Sequence, residues 1–241
     1  MSQVKTNTSF LYIAALICLL AVSLFMFSKS SFFAVEHIRF IGLDNVREDE
    51  VLRLIGVVNG ENLFLIDSET LAQKAELHPL IDSAVVEKEL PSTLVFKITE
   101  RAPVALILAQ EGMVEVDRQG TLLRFHDTWP EKDCPVLTGI EVPETLGPGQ
   151  KLSNARLDKG LKLLEQAPAS LLPLIGEVNI AEDGQVYIYL TTGKKVMLGF
   201  GEEYKAKLDL LNELLNSEEY KQIEKAYTYI DLKAGKPVLG L

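Results

Sequence analysis

The sequence predicts an α+β protein with a single N-terminal transmembrane helix. Three observations carry that reading. Residues 10–27 (FLYIAALICLLAVSLFMF) run for 18 positions without a charge. Residues 34–101 follow the order strand, helix, helix, strand, strand. Beyond them, short alternating stretches set between Gly-containing turns predict a mostly antiparallel β-domain with flanking helices.

As a helix the apolar run is about 27 Å long, close to the ~30 Å hydrocarbon core of a bilayer. Phe10, Tyr12, Phe25 and Phe27 place rings near its two ends, and Ser28-Lys29-Ser30-Ser31 stops it. A cleaved signal peptide usually has an apolar stretch of about 7–15 residues and a small-x-small cleavage site. Here the run continues into Phe-Met-Phe-Ser-Lys with no such site, so a retained helix is expected. Lys5 and the α-amino group on one flank balance Lys29 and Arg39 on the other. Charge alone therefore leaves the orientation open.

The chain has 241 residues, and about 210 follow the helix, room for one large domain or two small ones. Net charge is −10, from 34 acidic and 24 Lys/Arg residues, with no long basic run. That excludes the cation clusters that phosphate backbones require, so no nucleic-acid partner is expected. Cys18 lies inside the apolar run and Cys134 beyond it, so they cannot pair within one folded chain.

In the first module, residues 35–43 alternate apolar and polar side chains as a strand, and Asp44-Asn45 is a turn. Val51, Leu52 and Ile55 mark a short helix over 47–55, ended by Gly56. Asp67 or Ser68 is the expected N-cap of a second helix, 69–76, with Leu71, Ala75 and Leu77 as its apolar face and His78-Pro79 as its end. Two strands follow, 83–90 and 93–100, joined at Pro91-Ser92. Leu94, Phe96 and Ile98 share the buried face of the second; Val95, Lys97 and Thr99 share the other.

In the second module, 104–109, 113–116 and 121–124 read as strands, and 152–166 as a helix on Leu157, Leu161 and Leu164. Residues 177–181, 185–190 and 194–198 form a meander. Residues 202–216 are a helix with the stripe Tyr204, Leu208, Leu211, Leu215, and Glu202 and Glu203 in its first turn. Strands over 226–232 and 236–241 close the chain around Ala234-Gly235.

No group of residues assembles a catalytic, cofactor or metal site. His37, His78 and His126 have no metal-ligand spacing, and Cys134 has no catalytic signature around it. Glu115 and Asp117 are the one carboxylate pair to suggest acid–base work, which makes a membrane-anchored cell-wall hydrolase a rival class. A strand end and turn account for them as well. Gly199-Phe200-Gly201 is followed by Glu202-Glu203, which would repel phosphate. The protein is expected to work by binding, through the edge of its terminal strand, a template for strand addition.

Three motifs carry a family resemblance: I-x-F-x-G-L in the opening strand, N-L-F-x-I-D between the helices, and P-x-I-x-x-A-x-V-x-K-x-L-P-x-T-L-x-F-x-I-x-E-R-x-P-V-A over residues 79–105. The first module resembles a POTRA domain, and the whole chain resembles the FtsQ/DivIB family of bacterial division proteins. V-D-R-Q-G-T-L, P-V-L-T-G and Y-I-D-L-K extend the likeness into the second module. The short N-terminal tail and the stop at Leu241 depart from the family pattern.

The resemblance implies a tail over residues 1–9 in the cytoplasm, an inner-membrane helix at 10–27 and a linker at 28–33. A POTRA domain at 34–101 and a β-domain at 102–241 would then lie in the periplasm, at the division septum. It implies FtsB (DivIC) and FtsL as partners, held by Lys233, Ala234, Gly235, Lys236, Val238, Leu239, Gly240 and Leu241, with Lys194 and Lys195 as an extension. Other division proteins would meet the POTRA domain. No cofactor is implied. A POTRA-bearing anchor of another transport or secretion assembly is the alternative.

Overall fold

A computed structural model describes residues 8–56, 58–130, 134–201 and 204–241. Lys5, Glu202 and Glu203 therefore lie outside the described residues. The chain divides into two compact units, Met1–Glu100 and Arg101–Leu241.

The first unit opens with α1, Thr8–Ser28, whose apolar window buries none of its surface against the rest of the chain. A helix that is apolar all round and unburied has lipid as its natural solvent. Then come β1 (His37–Ile41), α2 (Glu48–Ile55), α3 (Ser68–Ala75), β2 (Ile81–Glu89) and β3 (Thr93–Glu100). The sheet order is β1-β3-β2, with β1 parallel and β2 antiparallel to β3. This is the expected β-α-α-β-β order. Asp67 caps α3 by accepting from the N–H groups of Glu69 and Thr70, and Gly56 ends α2 at φ 84°.

Phe96, Leu94 and Ile98 are buried, as are Val51, Ile55, Leu71 and Ala75 on the helices. Phe40 packs beside Phe96 at 5.1 Å between ring centroids. Two expectations fail here. Leu77 is 70% exposed, because α3 ends at Ala75 before the apolar stripe reaches it. Val95 is buried at 1%, although it shares a face with Lys97. It lies between Arg39 and Glu87 in the register, on the face where Arg39 pairs with Glu89 and Lys97 with Glu87, each at 2.6 Å. Long charged side chains cover apolar surface with their stems while their heads meet water.

Glu100 at the end of β3 ties down the β1–α2 loop. Its carboxylate accepts from the N–H groups of Asp44, Asn45 and Val46 and from the Asn45 side chain, all at 2.8–3.0 Å. Gly42 lets this loop pass close to β3. Its φ is 90°, and a Cβ there would stand 2.1 Å from the Ile98 carbonyl oxygen.

The second unit holds β4 (Ala105–Leu108), β5 (Met113–Val116), β6 (Leu122–His126), β7 (Val136–Thr138), α4 (Ala155–Gln166), β8 (Ile175–Ile180), β9 (Val186–Leu190), β10 (Lys195–Gly199), α5 (Lys205–Asn216), α6 (Glu218–Ile223), β11 (Tyr229–Asp231) and β12 (Val238–Gly240). One nine-stranded sheet runs β12-β11-β10-β9-β8-β7-β4-β5-β6. Three pairings are parallel: β4 with β7, β7 with β8, and β10 with β11. Leu157, Leu161 and Leu164 of α4, Leu208 and Leu211 of α5, and Tyr220 of α6 join Val178, Ile188, Val196 and Ile230 of the sheet in one core. Gln166, the last residue of α4, accepts at 3.0 Å from both Tyr204 N–H and Lys205 N–H, supplying the start of α5 with an acceptor. The expected strand over 226–232 begins only at Tyr229, because α6 and a 3₁₀ turn, Glu224–Ala226, occupy the chain before it.

Phe96→Ala should cost about 3–5 kcal/mol, the range for emptying a buried aromatic site. Urea unfolding of the part beyond α1 measures it, and a cost under about 1 kcal/mol would mean that the ring is not part of a packed core. A second outcome concerns pH. Burial of Glu100 works to raise its pKa, but the hydrogen bonds from Asn45, Val46 and Asp44 outweigh it and the net shift is downward. A carboxyl with a folded pKa below its unfolded value stabilises the fold above the unfolded value, and loses that contribution as pH falls through the folded one. Glu100→Gln should lower stability at pH 7 and flatten the decline below the ordinary value of 4.5. Parallel stability curves for parent and variant would contradict this.

Candidate functional site

The open end of the nine-stranded sheet is built by strand alternation. In β9 and β10, Val186, Ile188, Leu190, Val196 and Leu198 point into the core. The intervening residues, Tyr187, Tyr189, Lys195 and Met197, are half-buried on the other face. Registers join that face into two rows. Tyr189, Lys195, Tyr229 and Gly240 make one; Tyr187, Met197, Asp231 and Val238 make the other. The Lys195 ammonium stands 4.1 Å from the Tyr187 ring centroid and 5.9 Å from that of Tyr189. A cation over such faces is attracted by their quadrupoles.

Gly240 is there for space. A Cβ on it would lie 1.9 Å from Cζ of Tyr229, so the tyrosine ring rests on the last strand itself. Thr228 N–H donates to Gly240 O at 2.8 Å and helps to hold β12 against β11. β12 ends the sheet order, and among the described residues no strand pairs with its outer side. The other end is treated differently. Beside β6, Leu122 N–H donates to Gln150 O, Gly149 N–H to Leu122 O, and Leu152 N–H to Gly120 O.

The sequence-predicted binding residues sit as follows. Val238, Leu239 and Gly240 form β12; Leu241 follows it, 87% exposed. Ala234, Gly235 and Lys236 make the β11–β12 turn, with Gly235 at φ 73°. Lys233 is drawn back to β11: Nζ lies 3.2 Å from Asp231 Oδ2, and its N–H donates to Asp231 Oδ1 at 2.9 Å. Its stem crosses Gly199, where a Cβ would approach Lys233 Cγ to 2.9 Å. Lys194 does not extend a basic edge, since its ammonium donates to the carbonyls of Glu224 and Tyr227 and fastens the segment before β11. Tyr187, Tyr189, Met197 and Tyr229 are not among the sequence-predicted binding residues; the alternation of V-Y-I-Y-L puts Tyr187 and Tyr189 on one face, and nothing local points to Met197 or Tyr229.

The carboxylate pair takes a structural place. Asp117 is 4% exposed and accepts from Gln119 N–H, Thr121 N–H and Arg101 Nη1, each at 2.8 Å, which builds the β5–β6 turn. Glu115 Oε1 lies 3.1 Å from His126 Nε2 on the neighbouring strand, close enough for an ion pair but out of line for a hydrogen bond. Asp117→Ala removes the acceptor shared by the Gln119 and Thr121 N–H groups and by Arg101. A loss of about 1–3 kcal/mol is expected. A urea titration that finds the variant as stable as the parent would show that this pair does not hold the turn.

These features define a class: a chain with one N-terminal apolar helix whose second domain carries an open strand edge beside a tyrosine-lined face. Aromatic residues and Met are side chains enriched in protein–protein interfaces. Residues 33–101 match the family model of the FtsQ-type POTRA domain, and residues 105–233 match that of the FtsQ/DivIB C-terminal region. The chain belongs to the FtsQ/DivIB family of cell division proteins, which is not a family of enzymes. It is 28% identical to the cell division protein FtsQ of Syntrophotalea carbinolica, over 84% of this chain and 73% of that one. It is 30% identical to FtsQ of Anaeromyxobacter sp., over 78% of this chain and 64% of that one. With DivIB of Staphylococcus aureus it shares 26% identity, over 88% of this chain and 46% of that one.

Proposed function

We propose that the chain is a bitopic scaffold of the bacterial septum that holds the FtsB/FtsL complex at the open edge of its β-domain. In this reading residues 1–9 lie in the cytoplasm and α1 crosses the inner membrane. Residues 28–33 link it to a periplasmic POTRA domain, 34–101, which meets other division proteins, and to the β-domain, 102–241. The observation that carries the reading is the unpaired outer side of β12 beside the rows of Tyr229 and Tyr187. A strand of FtsB laid along β12 would gain main-chain hydrogen bonds from the edge and side-chain contacts from the tyrosine face. Lys233 would exchange its bond to Asp231 for an acidic group on the partner. Anchoring both proteins in one membrane raises their effective concentration toward each other.

Co-purification from membranes with tagged FtsB tests this. Gly240→Ala puts a methyl group where the Tyr229 ring rests, and the ring tip must swing away from the edge. Recovery of FtsB should fall at least about tenfold, equivalent to roughly 1.4 kcal/mol, while circular dichroism stays unchanged. Full recovery with a folded variant places the site elsewhere. For the topology, a reporter active only outside the cytoplasm should be active when fused after Leu241; activity of a cytoplasmic reporter instead would reverse it.

A further inference from the structure

Four large apolar side chains stand exposed at one end of the first domain: Phe32 at 58%, Phe64 at 50%, Leu65 at 74% and Leu90 at 61%. Scattered singly they would be unremarkable. They are not scattered. The segment after α1 is zipped to the α2–α3 connection: Leu63 N–H donates to Phe33 O, Val35 N–H to Glu61 O, and Gly60 N–H to Val35 O, at 2.8–2.9 Å. Asn62 donates its side-chain N–H to the Ser28 and Ser30 carbonyls, at 2.9 and 3.3 Å. Ser28 O belongs to the last turn of α1, where carbonyls lack helical partners. The β2–β3 turn reaches the same end, because Ser92 O accepts from Glu36 and His37 N–H.

The aromatic rings form a continuous chain. Phe27, in the last turn of α1, contacts Phe32 at 5.8 Å and Phe33 at 5.2 Å, and Phe33 contacts Phe64 at 4.8 Å. Two short steps therefore lead from the helix to Phe64. A helix of 21 residues is ~31 Å long, the thickness of the hydrocarbon core. If α1 spans the membrane, Phe27 sits at the core boundary, and Phe32, Phe64 and Leu65 fall within the headgroup layer, where aromatic rings are favoured.

We infer that the Asn62–Leu65 segment, with Phe32 and the Leu90 turn, seats the first domain in the lipid interface at the exit of α1. The inference rests on reading α1 as a membrane span. The occupant is the zwitterionic headgroup and upper acyl region. Glu36, Glu61 and Asp67 at this end are offset by Lys29 and Lys88, so it carries no excess of positive charge that would select an anionic lipid. Apolar burial drives the contact, and continuity with α1 fixes where it lies. The opposite end of the domain, where Ile81 pairs with Glu100 and Leu77 is exposed, stays in water.

The test uses the full chain in phosphatidylcholine vesicles, with exposed Trp129 replaced by Phe and one tryptophan reporter at a time. Spin-labelled phosphatidylcholines carry the quencher near the headgroup or in mid-chain. Phe64→Trp should emit at a blue-shifted wavelength and be quenched mainly by the shallow label. Leu16→Trp, at the middle of α1, should be quenched mainly by the deep label, and Leu77→Trp by neither. Deep quenching of Leu16→Trp together with an unquenched, water-like Phe64→Trp overturns the inference and leaves the span intact. No quenching of Leu16→Trp overturns both. Equal quenching of Leu77→Trp and Phe64→Trp would mean that the domain lies against lipid without this end as its seat, and also overturns the inference.

Discussion

Pairing of backbone N–H and C=O groups along the nine-stranded sheet is the constraint on which the second domain depends. Each strand satisfies its neighbours, and two edges must remain. At the β6 edge the chain itself pairs the first residue of the strand, Leu122, and Gly120 before it, through bonds of residues 149, 150 and 152. Among the described residues no strand pairs with the outer side of β12, which is only three residues long. Short edge strands are a common defence against unwanted pairing, and Lys236 and Pro237 in the preceding turn add to it. What remains is a brief edge flanked by half-buried rings, the edge that the function proposed above gives to a partner strand.

Much of the architecture was legible because it is local. Asp67 announces the start of α3, Gly56 announces the end of α2, and alternation in V-Y-I-Y-L announces β9. The failures were non-local. Val95 reads as the exposed side of a strand until Arg39 and Glu87 arrive from two other strands to flank it. The parallel pairing of β10 with β11 spans α5 and α6, so no short motif encodes it. Helix α6 is six residues long, too short for periodicity to separate it from a strand. The candidate edge was legible as a terminal strand. Its tyrosine face was not, because only the registers bring β9, β10 and β11 into rows.

Acidic residues show why composition alone is a weak guide to chemistry. Asp117 belongs to the carboxylate pair that suggests acid–base work, yet it, like Glu100, holds a loop by gathering backbone N–H donors. The two uses make opposite demands. A proton-transfer group needs access to substrate and a pKa near the working pH. A loop organiser needs lasting ionisation and bonds that never leave it. Full hydrogen bonding of Glu100 holds its pKa down, which suits the second role and defeats the first.

The same logic of committed and uncommitted groups separates the lysines. Lys194 is committed, because its ammonium closes the carbonyl ends of the segment leading into β11. Lys233 is only half-committed: its head pairs with Asp231 near the surface, where an ion pair contributes little and exchanges readily. Lys195 is held over the rings of Tyr187 and Tyr189, and among the described residues no carboxylate pairs with it. Under the function proposed above, an acidic segment laid along β12 would meet Lys233 at the turn, paired with Asp231, and Lys195 over the tyrosine rings.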